Sequence, residues 1–370
     1  MVGFFTMPKI SHVADLHIGS NQYGLSLRRA NQKQTLLKLA SELKKYDICL
    51  IAGDVFDSPF PSPDDISLWL KFTEIVSSQG CIPIVSVGNH DKLYDSARQW
   101  VDLSPFIAKR SHYESNQLYG SITVKNITVN YLDHVKRRDL KDVIEKIPES
   151  DILMMHQSCA GFMSSIMRPE IDEESLGLVS KKARYVALGD LHIHKVMKVL
   201  KDNIVAYPGN IDFLRLCDPY SEFKYLEIDF NEDENPSIKS IPFEPTQKTQ
   251  VIKFSESSDL RKTILKDPEG FYIFRYLSKD HEVLNKDLEK LKEEFTNLCF
   301  HLYREKVKAI KDDLTQEVDE DTDFMSLVKK EKFLEDRDVN LINDIWNNSN
   351  TENVEEVLRK DLESQINANN

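Results

Sequence analysis

The stretch that decides the fold is Pro83-Ile84-Val85-Ser86-Val87-Gly88-Asn89-His90-Asp91. Its first part is typical of a buried strand, because apolar and β-branched side chains dominate and a glycine follows them. The polar side chains of Asn89, His90 and Asp91 come directly after this strand. An ordinary Asn/Asp-rich turn would also contain such residues. Whether they form a turn or a binding site is decided by comparison with the other strand ends of the chain.

Four further predicted strands also end in side chains that can bind a metal ion. These side chains belong to Asp15 and His17, to Asp54, to His156, and to the run 189–194 (GDLHIH). In open α/β sheets, ligands bind beyond the carboxyl ends of the strands. Carboxylate, amide and imidazole together suit divalent ions such as manganese, iron or zinc. Asp-x-His and Gly-Asp are weak motifs alone, and Gly-Asn-His-Asp at a strand end is moderately specific. Together, five such strand ends in one chain predict a site for two metal ions rather than a set of polar loops.

Helices are predicted between the strands, at residues 25–46 and from Ser62 to about residue 78. The first carries apolar side chains at mixed spacings of three and four. The second has a start signal, in which Ser62 is the N-cap and Pro63 the first helical residue. Strands that alternate with helices indicate βαβ units and a mainly parallel sheet. We therefore expect an α/β fold.

The later segments predict a second sheet and a second domain. Residues 120–132 alternate like a strand, and residues 158–180 have no clean period and are interpreted as a long loop beside the site. Residues 231–249, rich in Asn, Glu, Pro and Ser, are the predicted domain boundary. Strands and helices then alternate to about residue 307, which predicts a compact α+β unit.

The charge of the chain is unevenly distributed. The net charge is −13, of which residues 311–370 carry −10, with 17 acidic and 7 basic residues, so residues 1–310 carry only −3. A near-neutral body can still present basic patches to a nucleic acid. The acidic segment also contains apolar side chains at helical spacing, which predicts amphipathic helices that either pack on the α+β unit or bind a partner.

Composition also bears on the location of the protein. The sequence has no apolar run near the roughly 20 residues that a membrane span requires. Its five cysteines form no Cys-x-x-Cys pair. We expect a cytoplasmic protein in a reducing environment, without a membrane partner.

The order of the motifs resembles the calcineurin-like metallophosphoesterase superfamily, and within it the SbcD-type DNA double-strand-break repair nucleases. The narrower resemblance rests on residues 10–19 (ISHVADLHIG), 52–57 (AGDVFD) and 207–210 (YPGN). It implies a four-layer α/β/β/α metallophosphoesterase sandwich at residues 1–235, a small α+β cap that contacts DNA at residues 246–310, and a helical, partner-binding tail at residues 311–370. It also implies a DNA exonuclease or endonuclease with two divalent metal ions. Mn²⁺ is favoured, with Mg²⁺, Fe²⁺ and Zn²⁺ as alternatives.

The resemblance assigns roles to individual residues. Asp54 would bridge the two ions. Asp15, His17 and His194 would complete one site, and Asn89, His156 and His192 the other. His90 would act on the scissile phosphate, and Asp91 would orient His90 through a hydrogen bond. Asp57 departs from those relatives that have histidine at this position, so it either contacts the substrate or is a turn residue without a catalytic part.

The partners implied by the resemblance are DNA and an SbcC-type coiled-coil ATPase subunit, with a homodimer as a further option. Lys136, Arg137 and Arg138 are the preferred contacts for the DNA backbone, although such a cluster is more often a solvated surface. Two other classes stay open from the residues alone. One is a phosphomonoesterase or cyclic-nucleotide phosphodiesterase with the same metals, and the other is a non-catalytic scaffold, disfavoured because no expected ligand is missing.

Overall fold

The computed structural model describes residues 7–21, 24–94, 100–102, 118–162, 169–200, 203–214, 222–230, 236–254, 258–266, 270–276, 281–296 and 298–304. It divides the chain into two compact units, Met1–Val307 and Lys308–Asn370. All described residues belong to the first unit. The helical tail predicted at residues 311–370 lies outside them.

Strands and helices alternate along the first half of the chain. In chain order the elements are β1 (Lys9–Val13), α1 (Ser26–Leu43), β2 (Ile48–Ala52), α2 (Pro63–Ser77), β3 (Ile82–Ser86), β4 (Lys92–Tyr94), β5 (Trp100–Asp102), β6 (Tyr119–Val124), β7 (Ile127–Leu132), α3 (Arg137–Lys146) and β8 (Ser150–His156). The predicted start of α2 is confirmed, because the Ser62 side chain accepts a hydrogen bond from the Asp65 amide and the Asp65 side chain accepts one from the Ser62 amide.

The second half continues with α4 (Glu173–Lys182), β9 (Ala183–Gly189), β10 (Lys195–Lys198), β11 (Ile204–Tyr207), β12 (Phe223–Asp229), β13 (Ser237–Phe243), β14 (Thr249–Phe254), α5 (Ser258–Ile264), β15 (Phe271–Tyr276), α6 (His281–Glu294) and β16 (Cys299–Arg304). None of the described helices is both long and apolar enough to span a membrane.

Two sheets form the body of the protein. The first has the order β13-β12-β1-β2-β3, in which β1, β2 and β3 are parallel, β12 is antiparallel to β1, and β13 is antiparallel to β12. The second has the order β10-β11-β9-β8-β7-β6, with β7, β8, β9 and β11 parallel. The carboxyl ends of the parallel strands therefore meet at one edge of each sheet.

Three buried apolar clusters show how the layers pack. One lies between α1, α2 and the first sheet and includes Leu36, Trp69 and Ile51. The next joins the two sheets, as Leu50 packs with Ile152 and Tyr185. The last lies between the second sheet and the helices α3 and α4, and includes Leu153, Ile144 and Val179. The layers run helix, sheet, sheet, helix, and the mixed α/β fold is confirmed.

Strands β14, β15 and β16 form a separate three-stranded parallel sheet with α5 and α6. One face of β15 packs on these helices through Tyr272 and Phe274, and the other face joins the apolar cluster of α1 through Phe271 and Ile273. Buried Arg28 of α1 strengthens this junction, since its guanidinium lies 5.2 Å from the centre of the Phe271 ring.

Two expectations about secondary structure require correction. Residues 120–132 are a hairpin, not one strand, because Lys125 and Asn126 have φ angles of 49° and 69° and form a tight turn between β6 and β7. The interval expected as a loop at residues 158–180 contains most of α4, which Asp172 caps through the Ser175 amide. The domain boundary predicted at residues 231–249 stays a prediction, and β13 lies within this segment and pairs along its full length with β12.

Candidate metal centre

The two sheets meet where their parallel strands end, and this brings the polar motifs together. His156, the last residue of β8, donates a hydrogen bond from Nδ1 to the carbonyl oxygen of Ala52, the last residue of β2, at 2.7 Å. The loops after β1 and β2 are also joined, since the His17 amide donates to the Asp54 carbonyl at 3.0 Å. Residues more than a hundred positions apart thus share one site.

Close packing at this junction requires glycine at two motif positions. A Cβ atom on Gly88 would lie 2.0 Å from Oδ1 of Asp54, and one on Gly53 would lie 2.3 Å from Nδ1 of His156. Gly53 also has a φ angle of 81°, which a residue with a side chain rarely adopts. The glycines let the loops approach closely enough for their neighbours to face one another.

Several residues of the site have strained backbones. The φ angles of Asp15, His17 and Asp54 are 55°, 43° and 48°, in the left-handed region that costs free energy for residues other than glycine. Such strain persists only where surrounding contacts enforce it, and it concentrates at functional sites. Here it directs all three side chains into the space between the strand ends.

One group of candidate ligands consists of Asp15, His17 and His192. The Nε2 atom of His17 lies 3.2 Å from Nε2 of His192 and 3.5 Å from Oδ2 of Asp54. The other edge of the His17 ring is held by Asp57, whose Oδ1 lies 3.0 Å from Nδ1. A carboxylate behind a ligating imidazole is the usual support of a metal-binding histidine.

A second group surrounds His156. Its Nε2 atom lies 3.1 Å from Oδ1 of Asn89, 3.3 Å from Oδ1 of Asp54 and 3.9 Å from Oδ1 of Asp190. Asp54 therefore presents one carboxylate oxygen to each group. This is the geometry that a bridging carboxylate needs between two metal ions.

The electrostatics of the site favour cations. Burial opposes ionisation of Asp54, yet the charges of His156 and His17 outweigh it and lower the pKa of this carboxyl. Burial also opposes protonation of His156, but the charge of Asp54 and the hydrogen bond to it raise the pKa of the imidazole well above its usual value. Without a metal ion, the imidazole of His156 therefore binds a proton more readily than usual, which places a positive charge beside the Asp54 carboxylate.

The residues present fit divalent ions. Asp15 is fully buried, and its Oδ2 atom has no hydrogen-bond partner, which is costly unless a cation fills its coordination. Oxygen and imidazole donors together match Mn²⁺, Fe²⁺ or Zn²⁺. The two groups described above would hold the ions.

His194, expected as a ligand, does not join either group. Its Nδ1 donates to the Pro208 carbonyl at 2.9 Å, and its Nε2 lies 2.8 Å from the Ser240 hydroxyl. Strand β10 begins at the next residue and pairs with β11. His194 therefore lies beside these strands and apart from the candidate ligands.

Asp190, which was not expected as a ligand, lies beside His156 instead. Gly189-Asp190 is the same dipeptide as Gly53-Asp54, and it also follows a strand. This repeat is the feature of the sequence that could have identified Asp190 as a candidate ligand.

Asp91, which was expected to orient His90, contacts backbone amides of two loops instead. Buried Asp91 accepts hydrogen bonds from the amides of Phe56 and Val55, at 2.8 and 3.2 Å, and from Gly88 at 2.9 Å. Burial raises its pKa to about 6, and the charge of Asp54 adds to the effect. Asp91 therefore shapes the loop that carries Asp54, because three backbone donors converge on its carboxylate.

His90 lies beside the same loop. Its amide donates to Oδ1 of Asp54 at 2.9 Å, and its Nδ1 donates to the Asp57 carbonyl at 2.8 Å. His90 also forms a group of candidate ligands with His17 and Asp54. With Nδ1 engaged in this way, Nε2 is the ring atom that can meet a metal ion or a phosphate.

The predicted DNA contacts follow the carboxyl end of β7, a strand that runs parallel to β8. Lys136 is the residue before α3, and Arg137 and Arg138 begin this helix. All three are exposed. Arg137 lies 3.6 Å from Asp172, a separation at which an exposed ion pair contributes little.

The calcineurin-like phosphoesterase family matches residues 8–194. The chain belongs to this family, which confirms the broader resemblance. Among its relatives, the SbcD component of nuclease SbcCD from Staphylococcus saprophyticus is 22% identical over 310 residues, which cover 74% of this chain and 79% of the relative. The DNA double-strand break repair protein Mre11 of Saccharolobus solfataricus is 25% identical over 388 residues, covering 96% of this chain and 98% of the relative.

Solved structures also resemble the chain. Purple acid phosphatase PPD1 from yellow lupin has a TM-score of 0.40 and 12% identity, and the match covers 60% of this chain and 49% of the phosphatase.

Proposed function

We propose that the protein is a metal-dependent DNA nuclease that hydrolyses phosphodiester bonds and acts as the nuclease subunit of an SbcCD-like complex. The observation that carries the proposal is the position of Asp54, whose Oδ1 lies 3.3 Å from His156 and whose Oδ2 lies 3.5 Å from His17. Relatives named as a component of nuclease SbcCD and as Mre11, matched over most of the chain, support DNA as the substrate.

In this proposal the site holds two divalent ions, with Mn²⁺ favoured. When bound, such ions act as Lewis acids on the phosphodiester and activate the attacking water. The chain itself holds the ligands in place, through the Ala52 carbonyl behind His156 and the Asp57 carboxylate behind His17. These contacts fix Nε2 of each ring toward the site before metal arrives.

His90 is the proposed group that acts on the scissile phosphate. Its Nδ1 donates to the Asp57 carbonyl, which orients the ring. In the imidazolium form, Nε2 would donate to a phosphate oxygen or to the leaving oxygen. Asp91 acts as a positioning residue, because it holds the amides of Val55 and Phe56 next to Asp54.

The remaining parts of the proposal concern partners. Residues 246–310 would cap the active site and contact DNA together with Lys136, Arg137 and Arg138. The acidic segment 311–370 would dock on the coiled-coil ATPase through its apolar side chains. A chain truncated after Ile310 should then keep Mn²⁺-dependent cleavage of a small diester but lose copurification with the ATPase. Full-affinity binding of the truncated chain would exclude the docking role.

The central experiment compares substrates. Purified protein with Mn²⁺ should cleave duplex or single-stranded DNA and a chromogenic phosphodiester, and should cleave p-nitrophenyl phosphate, a monoester, far more slowly. The Asp54→Ala variant should lose cleavage together with at least one bound metal ion, and elemental analysis measures the metal content. A preference for the monoester would instead identify a phosphomonoesterase.

A further inference from the structure

The run 189–194 contains three side chains suited to metal, but the structure separates them. Asp190 and His192 face the space between the strand ends, whereas His194 bonds Pro208 and Ser240. The resemblance assigned His192 to the site of His156 and His194 to the site of His17. We infer that each role falls two residues earlier: Asp190 completes the metal site of His156 and Asn89, and His192 completes the site of His17 and Asp15. This inference rests on the proposed two-metal site.

Distances around His156 support Asp190 as a ligand. Atoms bound about 2.1 Å from one octahedral ion lie about 3.0 Å apart when adjacent and about 4.2 Å apart when opposite. Oxygens of Asn89, Asp54 and Asp190 lie 3.1, 3.3 and 3.9 Å from Nε2 of His156. All three separations fall inside the range for one coordination sphere.

The backbone of Asp190 also holds it at the site. Its φ angle is 99°, an unusual value for a residue with a side chain. Its amide donates to Oδ1 of Asp15 at 3.1 Å, while the other oxygen of Asp15 is buried without a partner. The Asp190 amide therefore binds Asp15, a candidate ligand of the other metal site, and this contact holds the turn after β9 so that the Asp190 carboxylate lies beside His156.

His192 then takes the position expected of His194. Its Nε2 lies 3.2 Å from Nε2 of His17, and it forms a candidate ligand group with His17 and Asp15. The result is two carboxylates, an amide and one imidazole around the ion next to His156. An oxygen-rich set of this kind favours Mn²⁺ or Mg²⁺ over Zn²⁺ more than a set with two imidazoles would.

The test counts bound Mn²⁺ by calorimetric titration of the metal-free full chain. Asp190→Gly is the main variant, because glycine adopts the same φ angle freely. It should retain one Mn²⁺ at wild-type affinity and bind the other at least tenfold more weakly. Asp190→Asn, which keeps the shape of the side chain, should lose less affinity for the same ion and serves if the glycine variant does not fold.

Three further variants complete the comparison. His194→Ala should bind two Mn²⁺ at wild-type affinity, and His192→Ala should lose the ion that Asp190→Gly retains. Asp190→His should bind Zn²⁺ more tightly relative to Mn²⁺ than the wild type does. Wild-type affinity for both ions in Asp190→Gly, or loss of one ion in His194→Ala, would overturn the inference.

These outcomes are separable from the proposed function. A wild-type protein that binds two Mn²⁺ but cleaves no DNA would contradict the nuclease proposal and leave the ligand assignment intact. Conversely, if the wild type cleaves DNA and Asp190→Gly binds both Mn²⁺ ions as tightly as the wild type, only the ligand assignment is contradicted.

Discussion

Asp57 supports His17 from behind: its Oδ1 atom lies 3.0 Å from Nδ1 of the imidazole, whose Nε2 atom faces Asp54 and His192. Burial alone would lower the pKa of His17, but the hydrogen bond to Asp57 and the charge of Asp54 raise it. The sequence left open whether Asp57 contacts the substrate or is an inert turn residue. Its position beside His17 indicates a role in holding a ligand.

We predict that Asp57→Ala weakens Mn²⁺ binding by about 10- to 100-fold, because the supporting partner of a metal-bound histidine fixes its orientation and basicity. Calorimetric titration of the metal-free protein measures this. Asp57→Asn should lose less affinity, since the amide oxygen still accepts the hydrogen bond. Unchanged Mn²⁺ affinity in the alanine variant would exclude the role in holding a ligand and leave the two earlier alternatives, substrate contact and an inert turn residue.

For Asp91 the predicted effect is on stability. Asp91→Ala leaves the buried amides of Val55, Phe56 and Gly88 without their acceptor, and each unsatisfied donor costs about 1–3 kcal/mol. We expect the free energy of unfolding in urea to fall by about 3 kcal/mol or more. Asp91→Asn, which keeps one acceptor oxygen, should fall less. Equal stability of Asp91→Ala and the wild type would contradict this account.

His90 tests whether chemistry can be separated from metal binding. His90→Ala should keep two Mn²⁺ and its affinity for DNA while kcat falls by about 10²- to 10⁴-fold. Its ring also lies within reach of His17 and Asp54, so the alternative has a clear signature. Loss of one Mn²⁺ in the titration would make His90 a ligand rather than a group that acts on the phosphate.

The basic cluster should affect DNA and not small substrates. Reversal of exposed Lys136, Arg137 and Arg138 to Glu should weaken DNA binding and flatten its salt dependence, because fewer phosphate contacts are made. Cleavage of a small chromogenic diester should be unchanged. A matched control reverses the exposed lysines Lys71, Lys146 and Lys181 to Glu, which alters the net charge equally. Equal loss of DNA binding in both triple variants would indicate a general charge effect.

Acid stability should depend on His12. This residue is fully buried with its Nδ1 2.8 Å from the Tyr185 hydroxyl, and burial lowers its pKa to about 3. Between pH 3 and 6.5 the unfolded chain binds the proton and the folded chain does not, so stability rises with pH across this window. Between pH 7 and 4.5 His12 should account for about 2–3 kcal/mol of lost stability.

The variant His12→Gln isolates this contribution, since glutamine can still bond the Tyr185 hydroxyl but does not titrate. Urea unfolding of metal-free protein at pH 7 and at pH 4.5 should show a smaller drop for the variant than for the wild type. An identical drop in both proteins would show that His12 does not set the acid sensitivity.

Local sequence was sufficient for much of the fold. The alternation of apolar strands and amphipathic helices in residues 9–86 predicts α1, α2 and the first three strands. Burial of a strand in a sheet, or of one face of a helix, fixes the spacing of the apolar residues, and this spacing can be seen in the sequence. Residues 120–132 show the limit. The apolar positions shift by one residue at Lys125 and Asn126, from Ile122 and Val124 to Ile127 and Val129. Only the backbone conformation there shows that the shift is a turn between β6 and β7.

The candidate site divides in the same way. The sequence by itself determined which strand ends carry carboxylates, imidazoles and an amide, since these motifs are local. Only the tertiary structure decided which side chains face one another: Asp190 rather than His194 beside the ligands, and Asp91 on the amides of Val55 and Phe56 instead of His90. Those choices depend on two sheets that meet at their strand ends, which joins distant parts of the chain in a way that no local pattern encodes. They also depend on the pairing of β10 with β11 directly after His194.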